Sequence, residues 1–415
     1  MEAPGLMRSI RLLGVLLALA LGTRASASDA VKPNIVLILA DDIGISGVSG
    51  YGGQHKTPHV DALAKEGTRF EYCFAAPLCA PSRALLMTGR YPFRTGVLDN
   101  NSGGKMTPKS ETIIARTLKD VGYITGFAGK WHQLGYMETV EEAKSWGFDE
   151  FLAWNGKKDG ERYWAPHYNK NGKTLVGGDK DYGPDMLHKF AIDFITRHKD
   201  KPFFFYYPMV SIHAPILRTP DTPESGKHLF ADNVAYMDKL IGKLIAELDR
   251  LKLLEKTLVV FVGDNGTVDG GRVDGKKVDG GKGTMKEGGS RVPCVISWKG
   301  TTPASVVSKD LIDFSDFYPT LAEVAGAKLP AAVTIDGRSF AAQLRGQEGE
   351  RRDWVYVELG QKRYVRDARW KLTGDGILSD MQEAPFGELA VEAGKEDSEA
   401  AAARKRLQAV LEQLK

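Results

Sequence analysis

The segment that most restricts the fold is Asn34 to Ala40, NIVLILA, a continuous apolar run that stops at Asp41 and Asp42. A strand that is apolar on both faces has to lie inside a sheet covered on both sides, the setting of a central parallel strand in an α/β protein. Functional groups in such sheets gather at the C-terminal ends of the strands, where the two aspartates fall. Tyr123 to Phe127, Pro202 to Pro208 and Thr257 to Val262 read as further central strands. Asp185 to His198 and Ala231 to Leu251 carry apolar residues at helical spacing and read as covering helices. Thr57 as N-cap and Pro58 at the first helical position open a short helix, with Gly67 as its stop. Alternation of this kind predicts a doubly wound α/β domain.

A chain of 415 residues exceeds one small core and predicts a large domain with a smaller companion. The texture changes in the charged stretch Arg345 to Arg352, and strand-like runs follow at Trp354 to Glu358 and Tyr364 to Leu372. Residues 28–345 are therefore expected to form the large domain, and 346–415 a small antiparallel sheet with a helix. That closing helix is Asp397 to Lys415, with Leu407, Val410, Leu411 and Leu414 on one packing stripe. Gly266 to Gly289 repeats Val-Asp-Gly at 268, 273 and 278, in no calcium-ligand pattern, and reads as a plain flexible connection.

The opening has Arg8 and Arg11, then the apolar run Leu12 to Leu21, then the small residues Ala25, Ser26 and Ala27. That order reads as a secretory signal peptide over residues 1–27, since the run is short for a membrane anchor. Its removal lowers the formal charge from +3 to +1, and nothing in the balance suggests a nucleic-acid partner. Cys73, Cys79 and Cys294 cannot all pair, and so few cysteines argue against a disulfide framework. Cys73 and Cys294 could pair, although Cys294 in the run Val292 to Trp298 suits a buried apolar role.

Chemistry concentrates at the strand ends and in one helix start. Pro77 to Arg90 reads PLCAPSRALLMTGR, where Pro81-Ser82-Arg83 begins a helix and holds Cys79 near its N-terminus, a place that stabilises anions. Asp41 and Asp42 follow one buried strand, and Asp264 and Asn265 follow another. Three carboxylates and an amide oxygen form a hard-oxygen set suited to Ca²⁺ or Mg²⁺ rather than zinc. Gly129-Lys130-Trp131-His132 and Ser211-Ile212-His213-Ala214-Pro215 also follow strands, and Gly281-Lys282-Gly283-Thr284 precedes Glu287-Gly288-Gly289.

In this arrangement the chain resembles the type I sulfatases, from about Pro33 to Asp336 and weakly into Tyr364 to Leu372. The resemblance implies an alkaline-phosphatase-like fold, a mixed and mostly parallel sheet sandwiched by helices with a smaller C-terminal antiparallel sheet. It implies that a formylglycine-generating enzyme oxidises Cys79 to Cα-formylglycine, whose hydrated form is the nucleophile. One hydroxyl takes the sulfuryl group, and deprotonating the other expels sulfate and restores the aldehyde. Asp41, Asp42, Asp264, Asn265 and the side chain from Cys79 would hold one calcium ion, with Mg²⁺ the weaker candidate. Arg83 would hold the diol, Lys130 a sulfate oxygen, and His132 would act as base. His213 would bind sulfate and protonate the leaving oxygen, while Lys282 would bridge sulfate and leaving group. Lys276, Lys277 and Lys286 are rivals for that last role in the same loop.

The expected activity is hydrolysis of sulfate monoesters of carbohydrates or aryl alcohols. A phosphoester or phosphonate hydrolase of the same superfamily is the alternative. A glycan-binding protein without activity is disfavoured, because a binder has no use for the nucleophile set. Where some relatives place a serine or histidine after Phe148, this chain has Leu152-Ala153-Trp154-Asn155-Gly156. Trp154, Tyr163, Trp164, His167 and Tyr168 either wall the pocket or pack a long loop. Asn265-Gly266-Thr267 is a glycosylation acceptor sequence on a proposed ligand, which favours a bacterial periplasm over a eukaryotic secretory route.

Overall fold

The computed structural model describes residues 1–2, 32–102, 106–131, 135–156 and 160–414, so the expected signal peptide, apart from its first two residues, lies outside the described residues. The strands run in the order β1 (Asn34–Ala40), β2 (Thr68–Phe74), β3 (Ile124–Lys130), β4 (Glu150–Trp154), β5 (His167–Lys170), β6 (Lys173–Val176), β7 (Phe203–Pro208) and β8 (Thr257–Gly263). Then come β9 (Gly271–Val273), β10 (Lys276–Val278), β11 (Arg291–Ser297) and β12 (Val306–Asp313). Ten of these form one sheet in the order β12-β2-β11-β8-β1-β7-β3-β4-β5-β6. Strands β8, β1, β7, β3 and β4 pair in parallel, which brings their C-terminal ends to one edge.

The double burial of β1 is visible residue by residue. Ile35, Leu37 and Leu39 enter one apolar core, and Val36, Ile38 and Ala40 enter the other. The first core lies under the helices Cys79–Thr88, Ile114–Asp120 and Phe317–Val324, and the second under Gly183–His198 and Leu229–Arg250. The fold is thus a mostly parallel sheet between two helical layers.

A second sheet, antiparallel throughout, follows in the order β13 (Val355–Leu359), β14 (Lys362–Arg366), β15 (Trp370–Thr373), β16 (Leu378–Asp380) and β17 (Leu389–Ala390). The run Tyr364 to Leu372 is two strands rather than one. Asp367 breaks it, its carboxylate accepting the backbone N–H groups of Arg369 and Trp370. Helix Ser398–Gln413 closes the chain and buries Leu407, Val410 and Leu411. Residues 32–415 form one compact unit. All three cysteines are free and buried. Among the described residues no helix is long and apolar enough to cross a membrane.

The segment Gly266 to Gly289 corrects the expectation of a plain flexible connection. Strands β9 and β10 pair as a hairpin through Asp274-Gly275, both at positive φ, and bury Val273 and Val278 inward. An Asp-Gly pair between short apolar runs supplies the backbone of a tight primed turn, so the Val-Asp-Gly repeat encodes a hairpin.

Candidate active site

Sheet register builds the acidic pocket. Ala40 pairs with Gly263, so Asp41 and Asp264 emerge side by side, and the Asp264 N–H donates to the Ala40 carbonyl at 2.9 Å. The Asp42 N–H donates to Asp264 Oδ1 at 3.0 Å. Asp42 itself sits at φ 60°, a left-handed conformation that Asp tolerates better than most residues. This bend sends its carboxylate back toward its neighbours.

The buried helix Cys79–Thr88 approaches from the side with Cys79 as its first residue. The Asn100 side chain accepts the Ala80 N–H at 2.9 Å and fixes that helix start. Cys79 Sγ lies 3.4 Å from Asp41 Oδ1 and 3.7 Å from Asp42 Oδ1. One turn on, Arg83 donates from Nε and Nη2 to Asp264 Oδ2 at 3.0 and 2.7 Å, and its Nη2 lies 3.4 Å from Asp41. Potential ligand atoms of Asp41, Asp42, Cys79 and Asp264 all lie within 4.8 Å of one another.

Two lysines rim this cluster. Lys130 Nζ, at the end of β3, donates to Asp41 Oδ2 at 2.7 Å, and Lys282 Nζ to Asp42 Oδ2 at 2.6 Å. His213 Nε2, after β7, lies 3.9 Å from Asp42 Oδ2. A family model described as Sulfatase matches residues 33–327.

The chain belongs to the sulfatase family. It is 35% identical to human arylsulfatase A over 376 residues, covering 80% of this chain and 71% of the relative. It is 33% identical to N-acetylgalactosamine-6-sulfatase of Canis lupus familiaris over 393 residues, covering 85% and 74%. Among solved structures, Ps i-CgsB in complex with k-i-k-neocarrahexaose superposes with a TM-score of 0.75 at 28% identity, covering 92% of each chain. The protein is a sulfuric ester hydrolase.

Electrostatics in the sulfatase site follow from the burial of Asp41, Cys79, Arg83 and Asp264. Burial works against ionising Asp41, but Lys130 and Arg83 outweigh it and hold the carboxyl well below its usual range. Asp264 is pushed up to about 6 by burial and by Asp41, with Arg83 opposing. Burial and Asp264 push the Cys79 thiol up, so as a plain thiol it is a poor nucleophile. His213 is lowered, chiefly by burial, with Asp41 pulling the other way.

The donor set suits a hard divalent cation. Asn265 donates from Nδ2 to Asp42 Oδ1 at 2.8 Å, which turns its own Oδ1 away, and that oxygen is buried with no hydrogen-bond partner. A buried acceptor without a donor beside three carboxylates is what a cation ligand looks like before the ion is added. Among the residues expected from sequence, the structure brings together Asp41, Asp42, Cys79, Arg83, Lys130, His213, Asp264, Asn265 and Lys282. His132 lies outside the described residues. The rival Lys277 joins β10, and Lys286 pairs with Asp279 at 3.7 Å.

The aromatic cluster divides. Tyr163 and Tyr168 are core residues, while Trp154 lines a cavity of about 660 Å³ together with Asn100, Lys130, Tyr136, Arg162 and His213. Arg162 and Asn100 were not expected from the sequence. Arg162 stands among aromatics in Glu161-Arg162-Tyr163-Trp164, a setting in which a cation needs a structural reason, and that was the available signal.

Proposed function

We propose that this sulfatase cleaves sulfate monoesters of carbohydrates or aryl alcohols, using Cα-formylglycine made from Cys79 and one calcium ion. The convergence of Asp41, Asp42, Cys79 and Asp264 within 4.8 Å, ringed by Arg83, Lys130 and Lys282, carries this reading. Asp41, Asp42, Asp264, Asn265 and the side chain from Cys79 would hold the ion. Calcium is favoured over magnesium because a buried shell of protein oxygens suits its irregular coordination, whereas magnesium tends to keep several waters.

Once modified, Cys79 would supply a hydrated aldehyde nucleophile, and a bound cation would draw charge from the sulfate oxygens. The chain's own side chains do the rest. Lys130 pairs with Asp41 and Lys282 with the adjacent Asp42, so both ammonium groups stand at the acidic cluster to meet a sulfate. Three carboxylates and three cations balance, so a divalent ion leaves a positive pocket for an anionic ester. Arg83 holds Asp264 and Asp41 in place and offsets their repulsion. His213 is placed to hand a proton to the leaving oxygen, and His132 takes the base role that the family resemblance gives it.

The cavity beside His213 has Asn100, Asn101 and Asn155 among its lining residues and has room for a sugar ring. This supports a carbohydrate substrate, in line with the named preferences of the N-acetylgalactosamine-6-sulfatase relative. Cys79 is fully buried, so its oxidation by a formylglycine-generating enzyme would have to precede folding. The leader-like start and the acceptor sequence at the buried Asn265 support export to a bacterial periplasm.

Mass spectrometry of the Cys79 peptide from the native host tests the nucleophile, with formylglycine expected. Paired 4-nitrophenyl sulfate and phosphate test the ester class, with the sulfate preferred. Cys79→Ala is expected to abolish turnover while the thermal midpoint stays near that of the parent; an active alanine variant would overturn the mechanism.

A further inference from the structure

Arg162 lies on the segment between β4 and β5 and is 7% exposed. Its guanidinium carbon sits 4.6 Å from the centre of the Trp154 ring and 5.0 Å from that of Tyr163. From that seat Nη2 reaches the His213 loop three times, at 2.9 Å to His213 Nδ1, 3.0 Å to the His213 carbonyl, and in close contact with the Ala214 carbonyl. Tyr163 Oη adds bonds to the carbonyls of Val210 at 2.9 Å and His213 at 2.7 Å. Meanwhile Arg162 Nε is buried with no hydrogen-bond partner. A buried guanidinium with an unmet N–H carries a desolvation cost, and its Nη2 is directed at the His213 loop.

We propose that Arg162 is a positioning residue that clamps the His213 ring so that Nε2 alone is left for the leaving-group oxygen. Proton delivery needs a hydrogen on Nε2, and the Nδ1 edge is held in both ring forms that carry one, the Nε2–H tautomer and the imidazolium. An unprotonated Nδ1 accepts the Arg162 N–H, and a protonated Nδ1 donates to the Ala214 carbonyl at 2.7 Å, which Arg162 also fixes. In both cases the Nδ1 edge is occupied and Nε2 faces the acidic cluster. The clamp rests on the reading that His213 protonates the leaving oxygen.

A clamp of this kind matters most when the leaving group is poor, because only then does proton donation limit the rate. The test compares kcat/KM for 4-nitrophenyl sulfate, a good leaving group, with phenyl sulfate, a poorer one, on formylglycine-bearing enzyme. The ratio within each variant cancels any loss of correctly folded protein. Arg162→Met is expected to raise the nitrophenyl-to-phenyl ratio about tenfold, His213→Ala at least as much, and the double variant no further than His213→Ala. A parental ratio in Arg162→Met beside a raised ratio in His213→Ala would overturn the clamp alone. An unchanged ratio in His213→Ala would overturn the acid role, and the clamp with it. Further elevation in the double variant would give Arg162 a separate role and also overturn the proposal.

Discussion

Asn265 shows how a single side chain can report on a ligand. Its Nδ2 is spent on Asp42 and the Gly266 carbonyl at 2.8 and 2.9 Å, which leaves Oδ1 buried without a hydrogen-bond partner. Removing that oxygen leaves the three carboxylates and the side chain from Cys79 to hold the ion. Asn265→Ala is expected to weaken calcium binding about 10- to 100-fold, read by calorimetric titration into chelator-stripped protein. The thermal gain on adding calcium should shrink with it, since binding to the folded state alone stabilises by mass action. Unchanged affinity would take Asn265 out of the shell. Asp41, Asp42, Asp264 and Asn265 were legible in the sequence because each directly follows a continuous apolar strand, and strand ends in a parallel sheet share an edge. Arg162 was not. Its partner His213 is distant in sequence, and the contact depends on the path of two irregular segments that carry no periodic signal.

Between elements, the closest constraint lies where β3 delivers Lys130 to the site. Gly129 has φ +136°, and a Cβ there would stand 1.8 Å from the Pro208 carbonyl oxygen at the end of β7. Backbone cannot yield as a side-chain tip does, so the two strand ends would have to part. Gly129→Ala is expected to destabilise by about 3 kcal/mol or more in chemical denaturation, and to cut kcat/KM about a hundredfold by displacing Lys130. A variant with parental stability and rate would show that the strand ends tolerate separation. Helix and strand identities were readable wherever burial is two-sided or helical spacing is sustained, as in Asn34–Ala40 and Leu229–Arg250. Local chemistry was harder to read. Thr57 precedes its helix as expected, yet its hydroxyl accepts the Ser49 N–H at 3.0 Å instead of capping, because a neighbouring loop competes for it. The glycine-rich stretch looked unstructured by composition, whereas Asp274-Gly275 fixes a turn through its backbone geometry.

Across the whole molecule, the small sheet is fastened to the large domain by buried charges as well as by apolar contact. Arg352 grips Asp316, Arg366 pairs with Glu287, and Val355, Val357 and Tyr364 pack against Phe74 and Leu311. Glu358 on β13 belongs to the same seam, accepting the Phe93 N–H at 3.0 Å. Burial pushes its carboxyl up to about 7, with the Phe93 N–H pulling the other way. Folding therefore favours the protonated form. The sign follows directly: the contribution is complete below the unfolded value of 4.5 and is lost as pH rises through about 7. Asp313, pushed up to about 6 by burial, acts in the same direction, so the parent should lose stability from pH 5 to pH 8 through both groups. Glu358→Gln keeps an oxygen for the Phe93 N–H but cannot ionise, and it removes only the Glu358 share. The advantage of the variant over the parent in chemical denaturation is expected to grow by about 2 kcal/mol between pH 5 and pH 8. A stability difference that stays constant between the two pH values would mean that Glu358 titrates alike in the folded and unfolded chain, and that the seam is not closed by a proton.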